Sequence, residues 1–300
     1  EDLLFSPEKY SDTINININH FHQTFMPIKT LSIALSFLIG SLVFVNNCMA
    51  DLNLAPFNPP ADTSIPSGPL GNAIKKGKNL IANTKKELPK NVGNGLNCSN
   101  CHLNNGATQY AAPFVGLWGV FPEYRSRNGE VITLADRIND CFQRSMNGKP
   151  LNYQSTEMVA ILAYIEWLST GVPTGQNVEG RGFIKINSNL IPNAANGKLL
   201  YAEKCASCHK ASGEGLKNPA GGYIFPPLWG NQSFNDGAGM ARTYTAAAFT
   251  RHNMPYGQGN TLSDQEAIDI AEYFTHQPRP VFSKKSQDWR DGGKPKDARN

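Results

Sequence analysis

The feature that most constrains this chain is a five-residue motif, Cys-x-x-Cys-His, that occurs twice. One copy spans residues 98–102 and the other spans residues 205–209. In this motif the two thiols add across the vinyl groups of a haem and the histidine binds the iron, so each copy predicts one covalently bound haem c. A zinc site is disfavoured, because no second Cys-x-x-Cys pair lies near either copy. The predicted attachment residues and iron ligands are Cys98, Cys101, His102, Cys205, Cys208 and His209.

Composition sets the size of the fold and excludes one class of partner. The chain has 300 residues, of which 40% are hydrophobic, and this is enough for two small domains with one haem each. The net charge is only +4, and no dense Lys/Arg stripe with interleaved aromatic residues is present. We therefore expect no nucleic-acid partner, although a mild positive field suits small anions.

Residues 26–50 have the form of a secretory signal peptide. A basic start at Met26 precedes an apolar stretch over residues 31–45, which is too short to cross a bilayer. We expect cleavage after Ala50, which also removes Cys48; a lipidated Cys48 is disfavoured because small apolar residues do not precede it. Residues 1–25 precede this pattern and are interpreted as an upstream extension that is absent from the mature protein. The mature protein is expected in the periplasm, with no transmembrane segment.

The two motifs sit inside an internal repeat. A Gly-Lys pair precedes each motif, at Gly77 and at Gly197, and a Leu-Trp-Gly sequence follows each. Each unit closes with a predicted helix whose N-cap is Ser155 in the first and Ser263 in the second. The predicted fold class is all-α, with two tandem class I cytochrome c domains. The predicted boundaries are 51–175 for the N-terminal domain, 176–193 for a linker, 194–285 for the C-terminal domain and 286–300 for a mobile polar tail.

Each haem needs a ligand on its far side or an open position. In the second unit Met254 is the candidate, 17 residues before Ala271 in the closing helix, with His252 as the alternative. A thioether raises the potential of the iron, which suits a haem that receives electrons. By the logic of the repeat, Met146 would be the corresponding ligand in the first unit, because it lies 17 residues before Ala163.

Cys141 competes with Met146 for the first haem. It is the one cysteine of the predicted mature chain that has no role in haem attachment. Residues 133–145 are predicted to form a helix, and Arg137, Cys141 and Ser145 share one of its faces at intervals of four. Nearby arginines stabilise a thiolate, and a thiolate ligates iron. The alternative is a buried free thiol that packs as a small hydrophobe.

The segment 137–148, placed between two haem motifs, resembles the dihaem thiosulfate dehydrogenases, which also act as tetrathionate reductases. The resemblance covers roughly residues 70–283 and is most specific around Cys141. It implies that Cys141 is the far ligand of the first haem and that His209 and Met254 hold the second. It also implies that Arg127, Arg137 and Ser145 line the substrate pocket.

The implied activity joins two thiosulfate ions into tetrathionate, with tetrathionate reduction as the reverse reaction. Electrons would pass from the first haem to the second and then to a small c-type cytochrome. One alternative is an electron carrier like cytochrome c4, with Met146 and Met254 as ligands and no catalysis of its own. A second is a cytochrome of the sulfur-oxidising multienzyme system, which would depend on a carrier protein. A dihaem peroxidase is less favoured, since it needs an open haem site with a general acid.

Overall fold

A computed structural model of the protein describes residues 54–219 and 221–299. The predicted extension 1–25, the signal peptide 26–50 and its cleavage site lie outside these residues. The described residues belong to one compact unit. Among them, no helix is both long enough and apolar enough to pass through a bilayer.

The described chain is mainly helical. Its helices are α1 (Pro69–Ala82), α2 (Thr84–Glu87), α3 (Leu103–Gly106), α4 (Leu134–Arg144), α5 (Thr156–Leu168), α6 (Ala194–Lys204), α7 (Ala206–His209), α8 (Thr243–Asn253) and α9 (Asp264–Thr275). Its strands are β1 (Glu123–Arg125), β2 (Glu130–Ile132), β3 (Leu216–Lys217) and β4 (Tyr223–Phe225), and they form two antiparallel hairpins, β1 with β2 and β3 with β4. Short 3₁₀ turns connect these elements.

The same helix crossing occurs in both halves of the chain, where α1 packs against α5 and α6 packs against α9. A glycine makes each crossing possible. A Cβ on Gly77 would lie 2.0 Å from the carbonyl oxygen of Ala160, and one on Gly197 would lie 1.8 Å from that of Asp269. Two backbones can approach this closely only without a side chain between them. The predicted repeat is therefore present in three dimensions.

Local sequence signals set the starts of the helices. Thr133, Ser155 and Ser263 each accept a hydrogen bond from the backbone at the start of α4, α5 and α9 respectively. The first helical stretch is divided at Asn83, which separates α1 from α2. Just beyond this break, the hydroxyl of Thr84 accepts a hydrogen bond from the Cys98 amide at 3.0 Å. The break thus connects the first helical segment to the first haem motif.

The C-terminal residues correct one expectation, because the segment predicted to be a mobile tail is packed against the protein. Asp288 makes a bidentate ion pair with Arg144, at 2.8 and 2.7 Å, and its side chain is only 5% exposed. The amide of Trp289 donates to the Arg127 carbonyl at 2.9 Å. The prediction failed because polar composition does not reveal that a carboxylate has a buried guanidinium to bind.

Replacing Gly197 with Ala should destabilise the protein by about 3 kcal/mol, because the new methyl group would overlap a backbone carbonyl that cannot move away. Urea unfolding of the holoprotein, followed by circular dichroism, measures the change. Gly239→Ala is the matched control, since a Cβ there meets nothing within 4 Å. Equal unfolding midpoints for the two variants would contradict this account of the helix crossing.

Asp288→Asn should destabilise the holoprotein by about 3 kcal/mol, the lower end of the range for breaking a buried ion pair, because Asp140 still lies 3.8 Å from Arg144. The comparison is with Asp291→Asn, which removes a carboxylate that is 55% exposed and should change little. Thermal unfolding of both variants tests the prediction, and a similar loss in each would refute it.

Candidate haem cavities and active site

The first haem motif presents its histidine in the form that binds a metal. His102 Nδ1 lies 2.6 Å from the carbonyl oxygen of Ala112, and this hydrogen bond places the proton on Nδ1. Burial lowers the pKa of His102 to about 4, so the ring is neutral at pH 7. The other ring nitrogen, Nε2, is therefore the one that can ligate iron.

The second motif repeats this arrangement. His209 Nδ1 lies 2.8 Å from the carbonyl oxygen of Pro226, and burial lowers the pKa of His209. The sulfur atoms of both motifs are free thiols and form no disulfide among the described residues. Each half of the chain therefore has two thiols and a neutral imidazole, which is the set of donors that a haem c requires.

Each motif lines a cavity with mostly apolar walls. The first cavity has a volume of about 240 Å³ and is lined by Cys98 and His102, and the second has a volume of about 500 Å³ and is lined by Cys205, Cys208 and His209. The apolar side chains of the first include Leu117, Leu134 and Ile161, and those of the second include Leu228, Phe234 and Phe274. The donors and the walls fit a haem in each cavity.

The two cavities are close neighbours, because the first motif contributes to the wall of the second cavity. Cys101 lines the second cavity together with Ser99 and Asn100. A haem bound through Cys98 and Cys101 would therefore adjoin the haem of the other half. This proximity favours direct electron transfer between the two groups.

Sulfur donors of the predicted types line both cavities. Met254 lines the second cavity, whereas His252, its predicted alternative, is not among the lining residues and its ring Nδ1 lies 3.1 Å from Asn260 Oδ1. Cys141 and Met146 both line the first cavity, and Met146 is only 4% exposed. Cys141 as the ligand of the first haem remains a prediction.

Cys141 is paired with an arginine on the same helix. Arg137 lies one turn earlier on α4, and its Nη1 donates to the Cys141 sulfur at 3.1 Å. The pKa of Arg137 is raised, chiefly by the field of Cys141. Both side chains line the first cavity. The structure therefore places an arginine-bound sulfur next to the predicted position of the first haem.

Arg127 and Ser145 lie outside the lining of this cavity. Arg127 Nη1 donates to the Gly237 carbonyl at 3.1 Å, and its guanidinium lies 4.7 Å from the centre of the Trp289 ring. Burial and the positive charges of Arg144 and Arg242 lower the pKa of Arg127 to about 9. Ser145 is half-buried on the turn after α4. A contact of either residue with substrate remains a prediction.

Two other arginines line the cavity and were missed by sequence reasoning. Arg125 lies in β1, and Arg181 belongs to the segment predicted to be a linker. The Glu123 carboxylate binds both, at 2.6 Å to Arg125 and 3.2 Å to Arg181. No motif surrounds either residue, so only the chain's path in space reveals them.

Comparison with known proteins gives the family of each half. Residues 89–174 match the family described as "SoxA/TsdA, cytochrome c domain", and residues 194–277 match "Cytochrome c". A thiosulfate dehydrogenase of Psychrobacter arcticus is 52% identical over 80% of this chain and 73% of its own length. A thiosulfate dehydrogenase of Allochromatium vinosum is 45% identical over 76% of this chain and 86% of its own length.

A solved structure agrees with these matches. Thiosulfate dehydrogenase (TsdBA) from Marichromatium purpuratum is 38% identical, with a TM-score of 0.72 over 78% of this chain. The present chain spans about half, 52%, of the length of that chain. The tandem class I cytochrome c fold and the two covalently bound haem c groups are thereby confirmed.

Met254→Leu should abolish the far-red band that a thioether gives to oxidised haem and should lower the higher of the two haem potentials, because a Met ligand raises the potential. Met146→Leu is the matched control. It conserves volume in the first cavity and should leave the band and both potentials unchanged. Absorption spectra and a potentiometric titration of the holoprotein are the measurements. If Met146→Leu alters the far-red band, Met146 and not Cys141 is the ligand of the first haem.

Proposed function

Because the chain belongs to the thiosulfate dehydrogenase family, we propose that it is a dihaem oxidoreductase that joins two thiosulfate ions into tetrathionate, with tetrathionate reduction as the reverse reaction. The observation that carries the proposal to particular residues is the contact between the Arg137 guanidinium and the Cys141 sulfur, 3.1 Å apart, beside the first haem motif.

Two electrons leave when two thiosulfate ions are joined, and each of the two bound haems can accept one of them. The residues of the chain must then bind two dianions close together and hold the sulfur that is transferred. Repulsion between the dianions is a large cost in a site that excludes water. Positive side chains around Cys141 offset this repulsion and are therefore essential to the reaction.

In the first step the Cys141 thiolate bonds to the terminal sulfur of thiosulfate. The new S–S bond forms with the loss of two electrons, and the product is a cysteine S-thiosulfonate. Arg137 is placed to donate to the sulfonate oxygens with its forked N–H groups. Arg127 and Ser145 are proposed to add donors to the substrate.

In the second step another thiosulfate attacks the sulfur that carries the sulfonate. The bond to Cys141 breaks, tetrathionate leaves, and the thiolate is regenerated without a further change in electron number. The role of Cys141 is thus that of a nucleophile in one step and a leaving group in the next.

The second half of the chain is proposed to pass the electrons onward. Cys101 lines the second cavity, so the first haem motif and the second cavity are in contact. Met254 is the proposed ligand that sets a higher potential there. The proposed acceptor is a small c-type cytochrome, and the proposed compartment is the periplasm, where an exported cytochrome would meet it.

The alternative is a dihaem carrier of the cytochrome c4 kind. The position of Met146 in the wall of the first cavity favours it, because two Met-ligated haems need no substrate site. The two proposals differ in whether thiosulfate alone reduces the protein, which a direct assay can determine.

Purified oxidised holoprotein should be reduced by thiosulfate and should pass electrons to an artificial acceptor, and the reduced protein should be reoxidised by tetrathionate. Cys141→Ala should lower turnover at least about 1,000-fold, because the group that makes and breaks the S–S bonds is missing. The spectrum of the second haem should be retained, which serves as the control for folding and haem attachment. Turnover at the unmodified rate in Cys141→Ala would eliminate the cysteine mechanism, and wild-type protein that thiosulfate cannot reduce would support the carrier.

A further inference from the structure

We infer that Arg125 and Arg181, held together by Glu123 at the first cavity, form a second anion subsite that receives the incoming thiosulfate. The identity of the ligand rests on the proposed function. Once the first dianion is bound at Arg137, this residue alone cannot bind the second, and the Arg125–Arg181 pair provides a place for it.

The three side chains form one connected group beside the reactive sulfur. Glu123 contacts both arginines, at 2.6 and 3.2 Å, and all three residues line the cavity that Cys141 also lines. The side chain of Arg125 is 40% exposed and that of Arg181 is 29% exposed. The group therefore stands between solvent and the interior, where an ion would arrive.

The backbone holds Arg181 in place relative to the first haem ligand. Its neighbours Gly180 and Gly182 accept hydrogen bonds from the amides of Tyr110 and Ala112, at 2.8 and 2.7 Å. The carbonyl of Ala112 is the acceptor for His102 Nδ1. Arg181 is thus fixed to the same loop that orients His102, so the position of this subsite relative to His102 is set by the fold.

Arg125 is held from the opposite side of the group. It lies in β1, where it is paired with Glu130 of β2 in the hairpin. Two guanidinium groups present ten N–H donors, and the contacts with one carboxylate and with Asn177 use only a few of them. The group has a net charge of +1 and has donors left for a sulfonate, whose three oxygens suit a forked guanidinium.

The order of binding follows from these positions. Arg137 touches the Cys141 sulfur directly and lies within the field of Glu123. The first thiosulfate therefore belongs at Arg137 and Cys141, and the second belongs at the more exposed pair. Tetrathionate, which carries a sulfonate at each end, would bridge the two subsites.

Tetrathionate binding to the oxidised Cys141→Ala holoprotein tests the inference without turnover, with isothermal titration calorimetry as the measurement. Arg125→Gln and Arg181→Gln should each weaken binding by about 10- to 100-fold, the loss expected for one charge-assisted contact. Glu123→Gln should tighten binding, because it removes the only negative charge of the group. Arg251→Gln is the matched control, since Arg251 is 27% exposed, pairs with Asp264 at 3.3 Å and lines neither haem cavity.

The signs of these effects separate the subsite from other roles. A structural role predicts that Glu123→Gln weakens binding as the arginine variants do, and a role in holding a haem propionate predicts a shifted potential of the first haem with unchanged tetrathionate affinity. Either result overturns the inference, as does an equal loss in Arg251→Gln. If the wild-type protein fails to oxidise thiosulfate while Arg181→Gln still weakens tetrathionate binding, the proposed function fails and the subsite stands.

In the protein with Cys141 present, Arg125→Gln and Arg181→Gln should raise the KM for thiosulfate by a similar factor and leave kcat at saturation nearly unchanged. This split is expected because the pair captures the incoming ion and does not touch the bond that breaks. A fall in kcat with an unchanged KM would contradict the assignment of Arg125 and Arg181 to binding.

Discussion

The hydrogen bond from His102 to the Ala112 carbonyl is the constraint on which the rest of the first site depends. It selects the ring nitrogen that faces the cavity, because the proton is held on the other one. The amide of the same residue, Ala112, binds Gly182 and so fixes the segment that carries Arg181. One residue, Ala112, thus positions the histidine through its carbonyl and, through its amide, the segment that carries Arg181 of the proposed anion subsite. The loop thus complements α4, which carries Arg137 and Cys141.

Buried positive charge is the second organising constraint. Arg127, Arg137 and Arg144 lie close enough together to affect one another's ionisation or to share a partner, and such a cluster is stable only with counter-charges. Asp288 provides one from the C-terminal segment, and the Cys141 sulfur accepts from Arg137. The C-terminal segment is therefore an integral part of the site's electrostatics. An enzyme for small dianions has an evident use for such a surplus of positive charge.

How much of this could be predicted from the sequence depends on how local each feature is. The haem motifs, the caps at Ser155 and Ser263 and the pairing of Arg137 with Cys141 are set within a few residues, and each was predicted. The repeat was visible because Gly77 and Gly197 occupy equivalent crossings. The contributions of Arg181 and Asp288 could not be predicted, because each depends on which part of the folded protein a segment without a motif contacts. A contact between residues far apart in the sequence cannot be read from a short sequence motif.

The close approach of the first haem motif to the second cavity affects how electrons pass between the two halves. Cys101, Ser99 and Asn100 form a wall of that cavity, and buried apolar residues of both halves form one continuous cluster. The gap between the two redox centres is thus a fixed dimension of a close-packed interior, which has low compressibility. An electron can therefore cross this gap without a hinge motion between the two halves and without a binding event. Electron passage between the two halves therefore requires no domain movement, only transfer across a wall that the first haem motif lends to the second cavity.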